Sequence, residues 1–73
     1  MPEIRIVTEV AGRICALPFE PGSNVNDGDD IVFVEAMKME IPVTSTIAGK
    51  IKAILVKLDD VIAQGQVVAL VEA

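Results

Sequence analysis

The apolar positions of this chain do not follow a helix. No window places apolar residues at i, i+3, i+4 and i+7 over three turns. Every stretch of ten residues is interrupted by Gly, Pro or a cluster of β-branched side chains. Val and Ile supply most of the apolar residues, and branching at Cβ narrows χ1 in a way that suits strands better than helices. The pattern therefore predicts an all-β chain of short strands separated by close turns. Strands are expected at about 3–9, 12–17, 31–36, 40–45, 49–56 and 67–72, with short extended segments around Val25 and Ile62.

Laying the sequence on itself organises these strands. A displacement of 37 positions, the distance from Ala11 to Ala48, superposes Ala11-Gly12-Arg13-Ile14 on Ala48-Gly49-Lys50-Ile51 without a gap. The same displacement puts Val25 on Ile62, Gly28 on Gly65, Ile31, Phe33 and Val34 on Val68, Leu70 and Val71, and Glu35-Ala36 on Glu72-Ala73. Matching glycines mark matching backbone geometry, since Gly28 and Gly65 suit tight turns at positive φ. Gly22 falls on Asp59, and Asp tolerates the left-handed region better than most residues. The expected halves, about 11–36 and 48–73, are too small to bury a core each. They are expected to share one around an approximate two-fold axis, as one domain spanning 1–73 and packed as a flattened sandwich or barrel.

Between the halves lies Met37-Lys38-Met39-Glu40-Ile41-Pro42. The strand ending at Ala36 and the next strand must be joined through 36–39, a turn with no Gly, Asn, Asp or Pro. Two-residue hairpin turns ordinarily demand such residues because φ is positive at their centre. A local rule broken at the hinge of a repeat points to a functional position, and Lys38 stands at its centre.

Composition narrows the chemistry. With no His and a single Cys in 73 residues, most zinc, copper, iron–sulfur and haem sites lack ligands, as do Ser-His-Asp and Cys-His nucleophile systems. Eleven acids against six bases give a net charge of −5, which repels nucleic-acid phosphates, and without Trp or Tyr there is little to stack on bases. The longest apolar run, Val67 to Val71, is far short of a membrane span, and 1–5 lacks the apolar stretch of a signal peptide. No nucleic-acid or membrane partner is expected, and the expected compartment is a reducing one, the cytoplasm. Met1 and the lack of an Ala/Pro-rich linker lead one to expect a free-standing protein. Asp27, Asp29 and Asp30 lack the later ligands of a calcium loop and read as a solvated turn. Cys15, the mate of Lys52, reads as a strand residue facing partly outward.

The run Glu35-Ala36-Met37-Lys38-Met39-Glu40 resembles the modification motif of the biotinyl attachment domain family: an acidic residue, a small residue, then Met-Lys-Met. The spacing Gly22-x-x-Val25-x-x-Gly28-Asp29, its echo through Val61 to Gly65, and the Ala-Gly openings at 11 and 48 fit the same family, over about 10–73. The resemblance implies a flattened β-barrel of two four-stranded antiparallel sheets, with biotin amide-linked to Lys38 at the tip of a hairpin. It further implies a non-catalytic carrier of the biotin carboxyl carrier branch. Its partners would be a biotin protein ligase, a biotin carboxylase and a carboxyltransferase of an acetyl-CoA carboxylase or a related acyl-CoA or keto-acid carboxylase. Sister lipoyl domains share the fold but flank their lysine with Asp-Lys-Ala-type residues, so Met37 and Met39 favour biotin. A lipoyl carrier and an unmodified β interaction module are the rival readings. The ungapped repeat leaves no space for the protruding loop that some members carry.

By this resemblance the Lys38 amine attacks a biotinyl acyl-adenylate. An amine must be neutral to do so, a free lysine is charged at neutral pH, and deprotonation falls to the ligase. The modified arm, roughly 10–15 Å long from summed bond lengths, would carry a carboxyl group between two active sites at high effective concentration. Met37 and Met39, unbranched and polarizable, are expected to serve partner contacts. Glu35, echoed at Glu72 where no lysine follows, is expected to act as a strand-edge structural residue, and Pro42 to stop the return strand from extending its pairing.

Overall fold

The computed structural model describes residues 3–73. Among them run eight strands: β1 (Glu3–Val7), β2 (Gly12–Ala16), β3 (Asn24–Val25), β4 (Asp30–Ala36), β5 (Met39–Thr44), β6 (Gly49–Ile54), β7 (Val61–Ile62) and β8 (Val67–Glu72). They form two four-stranded antiparallel sheets, ordered β1-β8-β6-β3 and β5-β4-β2-β7. Exchanging β1–β4 with β5–β8 turns one order into the other, so the repeat is a two-fold relation between the sheets.

The correspondence reaches further than sequence matching carried it. β1 is the mate of β5, which extends the halves outward to 3–36 and 40–73. Identity is faint in that stretch, where Arg5 meets Pro42 and Val7 meets Thr44, but the hydrogen bonding repeats. The buried Thr8 hydroxyl donates to the Val10 carbonyl (2.7 Å) and accepts from the Val10 N–H (3.1 Å). Ser45, its buried mate, does the same with Ile47 at 2.6 and 3.3 Å.

The core is symmetric as well. Ile6, Ile14, Val25, Ile31, Val32 and Val34 are buried, and so are their mates Val43, Ile51, Ile62, Val68, Ala69 and Val71. Burying each Val or Ile contributes about 1.5–3 kcal/mol, and neither half could gather these contacts alone. Gly28 and Gly65 sit at φ +91° and +86°, the positive φ expected of their turns.

Pro42 behaves differently from expectation. Pairing of β5 with β4 continues past it, through Phe33↔Pro42 to Val32↔Val43 and Asp30↔Thr44. β5 is an edge strand. Counting by alternation from the closing pair Ala36↔Met39, position 42 directs its missing N–H away from β4. The ladder is therefore unharmed, and what Pro42 blunts is the outer edge of the sheet.

The molecule is elongated, 36 × 19 × 19 Å. β4 reaches one end at Ala36, where β2 begins beside it. β1 starts next to Glu72 at the other end and runs to within four residues of β2. The 36–39 turn and the pair Glu3↔Glu72 thus lie at opposite ends.

Candidate functional site: a lysine at the apex of a strained hairpin

Ala36↔Met39 closes the β4–β5 hairpin and leaves Met37 and Lys38 as its two turn residues. Their φ values are +51° and +65°, the double positive φ of a type I′ turn, whose twist matches that of the flanking strands. Each non-Gly residue held there costs about 1–3 kcal/mol and persists only where its surroundings over-determine it. The hairpin ladder below, with β4 itself paired on both sides, supplies that constraint. Gly12 lets β2 close in at the base: a Cβ there would collide with the Glu35 carbonyl oxygen and the Val34 side chain.

Lys38 is exposed. Among the described residues no ion pair or hydrogen bond involves its ammonium group. Met37 is 94% exposed and Met39 64%, so neither packs in the core. Ala36, half-buried, forms the closing pair.

Glu35 lies on β4, an inner strand, so it is not at a sheet edge. Its carboxylate accepts a 2.9 Å hydrogen bond from the Arg13 guanidinium, which also donates to Asp59. The Glu35 hydrogen bond and then its charge, joined by Asp59, raise the Arg13 pKa further above its ordinary value. The row Val61, Arg13, Glu35, Glu40 crosses all four strands of this sheet. Reading the sequence singled out Glu35 and passed over Arg13. The signal was present, for the repeat puts Lys50 where Arg13 stands, and Lys50 pairs in register with Glu72 as Arg13 does with Glu35.

The remaining candidates lie elsewhere. Cys15 is half-buried and its Sγ–H donates to the Phe33 carbonyl at 3.4 Å. Asp29 accepts the Asn26 N–H at 2.9 Å and closes a turn, as Gln66 does for the Ala63 N–H at 3.0 Å. Among the described residues no cluster of His, Cys, Asp and Glu could hold a metal ion.

A primary amine raised clear of a rigid barrel is equipped for attachment and tethering, and fold and site together define an attachment scaffold. The family model described as "Biotin-requiring enzyme" matches residues 1–71, and the chain belongs to this family of biotin/lipoyl attachment domains. It is 33% identical over 63 residues to the "Biotinylated protein TB7.3 homolog" of Mycobacterium leprae, covering 86% of this chain and 89% of that one. It is also 33% identical over 61 residues to the mitochondrial propionyl-CoA carboxylase alpha chain of Sus scrofa, covering 84% of this chain but 8% of that much longer one. The crystal structure of Kluyveromyces lactis urea carboxylase superposes with a TM-score of 0.93 at 32% identity, over 99% of this chain and 6% of that one. The chain thus resembles carrier domains of biotin-dependent carboxylases.

Proposed function

We propose that this chain is a biotin carboxyl carrier, with biotin held as an amide on Lys38 Nζ. The observation that carries the reading is the position of Lys38 at the tip of a strained two-residue turn, exposed, without an ion-pair partner among the described residues, and flanked by two exposed methionines. The residues fit the group, because an amide needs only an accessible amine. Bound there, biotin supplies the chemistry of accepting and donating a carboxyl group.

The chain's own residues contribute reach and orientation. The two-residue turn holds the lysine stem at the apex with little freedom left to lose on docking. The hairpin is built from strands of the barrel's own sheet, which gives the arm a defined pivot from which to swing between a biotin carboxylase and a carboxyltransferase. Tethering keeps it at high effective concentration for both. The resemblance to carboxylase domains supports these two partners, and a biotin protein ligase is the enzyme that would form the amide. An acyl-CoA, as in the propionyl-CoA relative, is the acceptor class in keeping with this reading.

Intact-mass spectrometry of the chain co-expressed with a biotin ligase tests the proposal. One biotinyl increment, abolished by Lys38→Arg, is the expected result. A lipoyl increment in cells competent for both modifications, or no increment, would overturn it.

A further inference from the structure

The two-fold relation gives the fold an internal control. The link between β6 and β7 and its mate between β2 and β3 are one backbone turn built twice. The Asp59 N–H donates to the Ile14 carbonyl at 2.8 Å, and the Gly22 N–H to the Ile51 carbonyl at 2.8 Å. The Ile14 N–H donates to the Asp60 carbonyl at 2.8 Å, and the Ile51 N–H to the Ser23 carbonyl at 2.9 Å. Asp60 accepts the Lys57 N–H through its carboxylate (2.8 Å), and Ser23 the Glu20 N–H through its hydroxyl (3.3 Å).

What differs is the set of side chains on this shared turn. Leu55, Leu58 and Val61 stand where the mate carries Pro18, Pro21 and Asn24. They are 51%, 55% and 83% exposed. The mate turn closes with no Leu or Val at any of the three positions, so the shared backbone turn does not require these side chains. Asp59 and Asp60 replace Gly22 and Ser23 and give the link an acidic rim, and Asp59 does so at φ +72°, where glycine would be unstrained.

The part of the link from Leu58 to Val61 stands at the end that carries Lys38, with the Asp59 N–H bonded to the Ile14 carbonyl. Val61 pairs with Arg13, Arg13 with Glu35 and Glu35 with Glu40. Three strand spacings separate Val61 from Glu40, about 14 Å. An ordinary protein interface covers about 800 Å² per partner, so an enzyme that receives Lys38 in its active site covers this link as well. Met37, Met39, Leu58 and Val61, four of the six large hydrophobic side chains exposed among the described residues, belong to this end, while Leu55, whose N–H donates to the Val68 carbonyl, stands further along the barrel.

We infer that the 55–61 link is a docking surface for the enzyme that acylates Lys38, with Leu58 and Val61 entering an apolar recess bordered by basic groups. The inference rests on the biotin reading, which makes that enzyme a biotin ligase. Specificity then comes from the barrel end as well as from the Met-Lys-Met turn.

The test measures initial labelling rates against carrier concentration, using the full chain, a biotin ligase, ATP and biotin. Leu58→Pro with Val61→Asn installs the residues the mate turn already carries. The carrier KM should rise at least about fivefold, the loss that sets an energetically important interface residue apart from its near-neutral neighbours, with kcat within about twofold. The reciprocal change at the other end, Pro21→Leu with Asn24→Val, should leave KM unmoved. Methyl NMR of the Lys38→Arg chain titrated with ligase provides a readout in the unaltered link: Leu58 and Val61 should shift or broaden. An unmoved KM, a fall in kcat alone, an equal effect from the reciprocal change, or unperturbed methyls would each overturn the inference. If the wild-type chain is not labelled at all, the biotin reading fails and the inference with it. If it is labelled and the variant behaves identically, the inference alone fails.

Discussion

The β4–β5 hairpin and the β8–β1 pair occupy equivalent positions about the two-fold axis, at opposite ends of the barrel. Glu35↔Glu40 in the first corresponds to Glu72↔Glu3 in the second. One pair is closed by a turn holding two non-glycine residues at positive φ; the other pairs with no turn joining its strands. Register is therefore set by the ladder and the shared core, and the strained turn is not needed to align the strands. Its strain is carried by the residues that raise Lys38. The two ends also relieve their facing acids differently. Arg13 reaches Glu35 from the neighbouring strand, and Lys52 reaches Glu3 from β6.

The most severe way to break this comparison is through the core that both ends share. Ile14 and Ile51 are mates, each at most 1% exposed. Ile14→Ala and Ile51→Ala should each cost about 2–5 kcal/mol, against a total of about 3–5 kcal/mol expected of a core this size without a staple. Urea unfolding should find both variants largely unfolded and equal to within about 1 kcal/mol. A larger difference would mean that one half dominates the core.

A milder change addresses the turn. Asn tolerates the left-handed region better than Met, so Met37→Asn should stabilise the chain by about 1 kcal/mol. That would appear as a rise of about 4–8 °C in Tm. A lowered Tm would show that Met37 is held by packing instead of presented by the ladder.

The smallest effect concerns the other end. Hydrogen bonding to Glu3, followed by its charge, raises the Lys52 pKa above its ordinary 10.5. A raised folded-state value means that the pair's contribution is complete below pH 10.5 and fades as pH climbs through the raised value. Both groups are solvent-exposed, so the contribution is small. Thermal melts should show it constant between pH 6 and 9, with a slight alkaline loss that Glu3→Gln removes.

Much of this protein was legible without coordinates. Identity at Ala11-Gly12 and Ala48-Gly49 revealed the doubling, because a Cβ at either glycine would strike a facing carbonyl oxygen and the residue type is therefore constrained. The absence of turn formers at 36–39 marked the hairpin that carries Lys38. The outermost strands were not matched to each other: Arg5 with Pro42 and Val7 with Thr44 preserve exposure, not residue type, and exposure leaves little trace in identity. Pro42 was misread because its effect depends on which edge its nitrogen faces, and that is decided by strand order.

The sequence by itself determined the β character, the two-fold doubling and the lysine at its hinge. Branched side chains, glycines at close approaches and the spacing between copies are local properties that residue identity carries. Only the tertiary structure decided that Arg13 joins Glu35 to Asp59, residues 22 and 46 positions away. It alone brought Leu58 and Val61 to the lysine end and left β1 and β8 paired at the other. Such neighbours are set by how two sheets fold over one core, and they become adjacent only when residues distant along the chain are brought into register.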